Sequence, residues 1–203
     1  MFSLKNKIFI EHILIAILLV CLWSLTHIFT LGWGLPNPMS FAIDTIPPQR
    51  NMSAFDMMHH ENMQYPPLQY LIVSYLVEKR DEPAQLSEEL VQLRSDKIFM
   101  MRLTTAIMSL VSALAISFFI YHIFGSITAA FIAGFCFICN PLSLYYSHTS
   151  NMDQPYLMWW ILSIIAVFLA DRSAEKAKKI SFLIWNCLAG ILFGLSFCTK
   201  DQV

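Results

Sequence analysis

Charge is what this sequence has least of. Its 203 residues carry 13 Lys and Arg and 14 Asp and Glu, against 57% hydrophobic side chains, and the mean hydropathy is +0.57. About a quarter of the residues of an ordinary soluble domain are charged, so an ordinary soluble fold is excluded and a multi-pass membrane protein is implied. The formal net charge is -1. With no long Lys/Arg block, the electrostatic footprint needed for nucleic acid is missing. A disulfide framework is missing too, because Cys21, Cys136, Cys139, Cys187 and Cys198 all lie inside apolar runs. Cys136-x-x-Cys139 has the spacing of a redox or zinc pair but no second ligand pair, and reads as small apolar packing. There is no H-E-x-x-H helix, no convincing internal repeat of the transporter kind, and no clustered basic or His motif of the kind a lipid-phosphate hydrolase needs.

What the chain does have is apolar runs of spanning length. An all-α polytopic bundle follows, with spans at about 8–31, 99–124, 127–146, 154–170 and 180–198. The first run follows Lys5 and Lys7, is too long for a signal-peptide core and has no small-x-small cleavage site, so it is read as a retained helix with a cytoplasmic N-terminus. Trp23 and Trp33 are expected toward its far interface. The turn at Asp171–Lys179 holds Arg172, Lys176, Lys178 and Lys179 against Asp171 and Glu175, and is also expected in the cytoplasm. Two cytoplasmic anchors require an even number of crossings between them. Four spans satisfy this.

Between the first two spans lies a polar stretch, 32–98, with Pro36, Pro38, Pro47, Pro48, Pro66 and Pro67 and with five Lys/Arg against nine Asp/Glu. An acidic loop of this kind suits the extracytoplasmic side. Its longest apolar segment, Leu68 to Val77, makes about 15 Å of helix, half the hydrocarbon thickness, and should lie at the interface or against the bundle. Residues 83–93, opened by Pro83, suit a second surface helix with Leu86, Leu90 and Leu93 on one face. Asn51-Met52-Ser53 has the form of an N-glycosylation acceptor.

The topology puts Asp44, Arg102, Asp153 and Lys200 on one outer face. A carboxylate at the mouth of a membrane helix is costly if it meets lipid, so Asp153 is the first functional candidate. Its bland alternative is a helix cap, with Pro155 in the first turn. Arg102 and Lys200 can neutralise a phosphate or simply snorkel; Asp44 and Asp153 can take a proton or hold a divalent ion. His59-His60-Glu61, with Asp56 and His148, supplies metal-ligand chemistry without metal-site spacing.

The order of several motifs is similar to that of the GT-C membrane glycosyltransferases, the superfamily of protein O-mannosyltransferases and lipid A aminoarabinose transferases. These are Phe41-Ala42-Ile43-Asp44, Tyr65-Pro66-Pro67-Leu68, Met101-Arg102-Leu103, Asn140-Pro141, Tyr145-Tyr146-Ser147, Asn151-Met152-Asp153 and Gly194-Leu195-Ser196-Phe197-Cys198-Thr199-Lys200. The sequence departs from the pattern where Thr45 replaces a second acid and Asp201 a glycine. The resemblance implies transfer of a sugar from a polyprenyl-phosphate-linked donor to a protein, lipid or glycan acceptor on the extracytoplasmic side. Asp44 and Asp153 would be catalytic, Arg102 and Lys200 would meet the donor phosphate, and a divalent metal would sit at Asp153, with His59 and His60 as weaker ligand candidates. It points to a bacterial cytoplasmic membrane, or to the endoplasmic reticulum in a eukaryote. Family members have more spans, so the chain reads as the N-terminal portion of a longer enzyme. The competing expectation is a noncatalytic transporter or assembly subunit in which Asp153 and Arg102 are structural partners.

Overall fold

The computed structural model describes residues 4–37, 68–76 and 87–200. Among them are seven helices and no strand: α1 Leu4–His27, α2 Leu68–Leu76, α3 Glu88–Phe124, α4 Ile127–Cys139, α5 Pro141–His148, α6 Asp153–Glu175 and α7 Lys179–Thr199. Four of these are long and apolar enough to cross a membrane, and the bent α4–α5 pair makes a fifth if it counts as one span. The expected all-α polytopic bundle is therefore present, with four helices of spanning length and the bent pair in the place of the third expected span.

Local chemistry explains the boundaries. Ser87 is extended and its hydroxyl accepts from the Leu90 amide, with Glu88 and Glu89 in the first turn beside the positive end of the helix dipole. From there α3 runs 37 residues without a break to Gly125, which stops it at φ 62° and returns its N–H to Tyr121 O. A separate surface helix at 83–93 is thus corrected: residues from Glu88 onward are the opening turns of the same rod, at about 55 Å far longer than the hydrocarbon layer. A polar surface segment and an apolar span need no break when no residue between them breaks the helix. The span expected at 127–146 is divided, because Pro141 has no N–H and drives Asn140 out of the helical region. The Asn140 side chain then caps α5, accepting from Leu142 N at 2.9 Å and Ser143 N at 3.3 Å, and the axis bends by 57°. Likewise α6 continues to Glu175, so the turn into α7 is three residues rather than nine.

Hydrogen bonds between helices give the chain direction. Antiparallel to α3, α1 is joined to it by Tyr121 Oη donating to Glu11, by Trp23 Nε1 donating to Ala106 O at 3.0 Å, and by Arg102 donating to Leu31 O. The bent pair climbs α1 in step: Gly134 packs on Leu19, Ser147 bonds His27, and His148 bonds Thr30. It therefore crosses from one end of the bundle to the other. The α6–α7 hairpin is tied along its length by Ser173 to Ser181, Ser163 to Ala189 O, and Lys200 to Asp153.

Small residues make the close contacts. Ala106, Ser109, Ser112 and Ala113 are buried along α3, and lipid-immersed helices associate by such close packing rather than by escape from water. The outward surface is apolar, with Phe9, Leu25 and Ile180 all highly exposed. Trp23 is not an interface anchor as expected, but lies buried between α1 and α3 with its indole N–H on Ala106 O. Trp33 is exposed near the end of the α1 segment, as expected. The short α2 packs on α3 and α7, burying Val73 and Gln69, which fits a segment lying against the bundle.

Candidate active site

At the bundle end reached by the C-termini of α1, α5 and α7, polar side chains gather. The link between α5 and α6 is buried: Thr149, Ser150, Asn151 and Met152 are all under a tenth exposed. Asn151 turns the chain by accepting the Asp153 amide on Oδ1 at 2.7 Å. Met152 occupies the cap position of α6 and makes no side-chain cap bond. Asp153 is thus the first helical residue and not the cap. Its carboxylate is left for something else.

That something is Lys200. The ammonium of Lys200, at the extended residue closing α7, is ion-paired with Asp153 Oδ1 across the mouth of the hairpin. Both side chains are only partly covered, at 21% and 31% exposure. Beside them opens a cavity of about 570 Å³, to which Asp153, Gln154, Asn140 and Ser143 contribute polar groups, and Ile116 and Phe137 apolar wall. The bend at Asn140 makes the room. Gln154, almost fully buried, reaches Ser112 at 3.4 Å and fixes the first turn of α6 against α3.

Arg102 is 1% exposed. Its Nη1 donates to Leu31 O at 2.9 Å and Trp33 O at 2.8 Å, and its guanidinium lies 4.9 Å from the centre of the Trp33 ring. It therefore closes the end of the α1 segment, whose last carbonyls have no helical partner. Arg102 Nε is buried and finds no hydrogen-bond acceptor among the described residues. No contact joins Arg102 to Asp153, so the structural pair expected for a noncatalytic protein is not formed; Asp153 pairs with Lys200 instead.

Beneath Arg102, two imidazoles stack. The His27 and His148 ring centres are 4.7 Å apart at 21°. His27 meets Ser147 Oγ at 2.8 Å and Thr26 Oγ1 at 2.8 Å, while His148 meets Leu144 O at 2.7 Å and Thr30 Oγ1. No sequence motif singled out His27. The available signal was a His flanked by Thr26 and Thr30, one helical turn apart, at the end of an otherwise apolar run. His148, grouped by sequence with His59 and His60, has both nitrogens engaged here.

Asp44, His59 and His60 lie outside the described residues, as do Asp56 and Asn51. Among the described residues no three His, Cys, Asp or Glu side chains converge to hold a metal ion. Asp153 faces an ammonium, and the two buried histidines are saturated with hydrogen bonds. The described residues alone therefore do not fit a divalent ion. One placed at Asp153 would have to draw its other ligands from elsewhere in the chain. Cys136 and Cys139 are free, exposed thiols, and Cys136 lines the cavity beside Asp153.

A family model described as dolichyl-phosphate-mannose-protein mannosyltransferase matches residues 86–203. The chain belongs to that family. The match begins at the start of α3 and covers Arg102, Asp153 and Lys200, whereas Asp44 precedes it. The GT-C resemblance is thereby shown, and with it a membrane glycosyltransferase family carried on several apolar helices. No curated protein and no solved structure matches the chain.

Proposed function

We propose that this chain forms the donor-phosphate end of a glycosyltransferase that moves a sugar from a polyprenyl-phosphate carrier to an acceptor on the extracytoplasmic side. The observation that carries the reading is the partly exposed Asp153–Lys200 pair at the lip of a cavity with polar and apolar walls. A lipid-linked phosphate has the same two-sided chemistry. In the transfer, the acceptor hydroxyl oxygen bonds to the anomeric carbon, and the bond from that carbon to the phosphate oxygen breaks with its electron pair staying on the phosphate. The phosphate thus gains one negative charge. An ammonium beside it is attracted more strongly in the transition state than in the ground state, which is the condition for catalysis.

Lys200 supplies that ammonium, and Asp153 holds it in place before the donor arrives. Asp44 is the proposed acceptor of the hydroxyl proton. Arg102 is the second candidate for the phosphate, through the Nε hydrogen left without a partner. His59 and His60 remain proposed ligands of a divalent ion shared with Asp153, and no step above depends on that ion.

The test is transfer from polyprenyl-phosphate-linked mannose by the full-length protein in membrane vesicles. Lys200→Gln and Asp153→Asn should each lower kcat by about 10²–10³ while leaving membrane insertion unchanged. Full activity in either variant refutes the assignment. Equal turnover with a nucleotide-linked mannose would refute the donor class.

A further inference from the structure

At the opposite end of the α6–α7 hairpin, about 35 Å away along the 23 residues of α6, the chain turns in three residues. Ala177 takes φ 52°, a left-handed conformation that a non-glycine residue adopts at a cost. Its amide returns to Ala174 O at 2.9 Å and that of Lys178 to Ser173 O at 2.9 Å, so the turn is closed by its own backbone. Beneath it, Ser173 and Ser181 hydroxyls are 3.0 Å apart and hold the two helices together. This compact turn presents Lys176, Lys178 and Lys179, all exposed. Among the described residues none of the three is ion-paired, while Arg172 is drawn aside, onto the Phe168 ring and His122 O. A shallow, open surface depression of about 750 Å³ lies at the turn, lined by Lys178, Lys179, Ser181, Ile184 and Trp185 among others. Two cations thus stand near an indole one turn beyond Ser181 along α7, beside the exposed side chains of Ile180 and Ile184.

We propose that this turn binds the headgroup of an anionic glycerophospholipid. Lys178 and Lys179 face the phosphate and any second negative charge on the headgroup, Ser181 donates to Ser173 Oγ and so holds the turn that presents them, and Trp185 seats at the level of the glycerol backbone, where membrane proteins concentrate indoles. The argument for a lipid rather than a free ion is the wall: Ile184 and Trp185 continue the depression into the apolar side of α7, a surface that acyl chains cover and inorganic phosphate does not. The site is separated from the Asp153–Lys200 pair by the length of the hairpin, so its occupant is not the sugar donor, and the proposal stands whether or not the donor assignment does.

Full-length protein in neutral detergent is titrated with phosphatidylglycerol and with phosphatidylcholine of the same acyl chains, and retained lipid is counted by native mass spectrometry. Phosphatidylglycerol should be held about thirtyfold more tightly, the effect of two lysines at a membrane surface, and raised salt should reduce the difference. The double variant Lys178→Gln, Lys179→Gln should bind both lipids alike. Arginine at both positions should restore the preference, which separates loss of charge from loss of fold. Equal affinities in the unaltered protein, or a preference that survives the glutamine pair, would overturn the proposal. So would displacement of the phospholipid by inorganic phosphate alone, which would mark a free-ion site.

Discussion

Gly134 is where the packing of α1, α3 and α4 has least room. A Cβ built there meets Ser117 Oγ at 2.3 Å and Leu19 Cδ1 at 2.6 Å, both far inside van der Waals contact. Neither neighbour can easily yield. Leu19 is fully buried in the core, and Ser117 Oγ is held by its bond to Ala130 O at 2.9 Å. Overpacking of this kind costs about 1–3 kcal/mol, whereas alanine in place of glycine inside a helix returns up to about 1 kcal/mol through propensity. The net expectation for Gly134→Ala is a loss of about 1–2 kcal/mol. At about 2–4 °C per kcal/mol for a chain of this size, Tm should fall by several degrees. A thermal shift measurement in detergent reads this directly. Because Ser117 Oγ supplies the shortest contact, Ser117→Ala should cost less in the Gly134→Ala background than in the unaltered protein, a positive coupling in a double-mutant cycle. An unchanged Tm for Gly134→Ala, or strict additivity of the pair, would refute the close-packed crossing.

Other outcomes follow from single contacts. Arg102→Leu removes both bonds to the Leu31 and Trp33 carbonyls and should cost about 3 kcal/mol or more by thermal denaturation. Arg102→Lys should restore little of it, because a point-charge ammonium cannot combine the ring contact with both carbonyl bonds. Asn140→Ala strips the cap of α5 and should cost about 1 kcal/mol, with faster amide exchange at Leu142 and Ser143 as the local readout. Ser87→Ala should cost about as much and fray only the first turn of α3, leaving the membrane-spanning part protected from exchange.

The spans were legible because each is a run of apolar residues long enough to cross, and the placement of Arg102, Asp153 and Lys200 at one end of the bundle followed from counting crossings. What periodicity could not convey is where polar and apolar segments belong to one rigid rod, as in α3, since nothing in Arg94–Ile98 breaks a helix. The bend at Asn140-Pro141 was written in the sequence, but an apolar run that continues past it masks the break. Trp23 misled for a different reason. An indole near a span end has the same composition whether it faces headgroups or donates to a neighbouring carbonyl, and only helix packing decides. Asp44, His59 and His60 fall outside the described residues, so their part of the candidate site rests on sequence alone.

The Asp153–Lys200 contact shows what a chain so poor in charge can do with the charges it keeps. At the other end of the bundle Glu11 accepts from a neutral phenol, Tyr121. Asp153 instead holds an ammonium, at a position where both partners still meet solvent. Had Asp153 capped α6, its oxygens would have been occupied by amides of its own first turn rather than turned to Lys200. The chain gives the turn-forming role to Asn151, whose neutral side chain accepts the Asp153 amide, and so leaves the carboxylate available one residue into the helix. Burying the loop at Thr149–Met152 fixes that register against α1 through Ser147 and His148. A partly exposed ion pair contributes little to stability. In the proposed transfer its value lies in holding a cation in place with an attachment weak enough for a phosphate to displace.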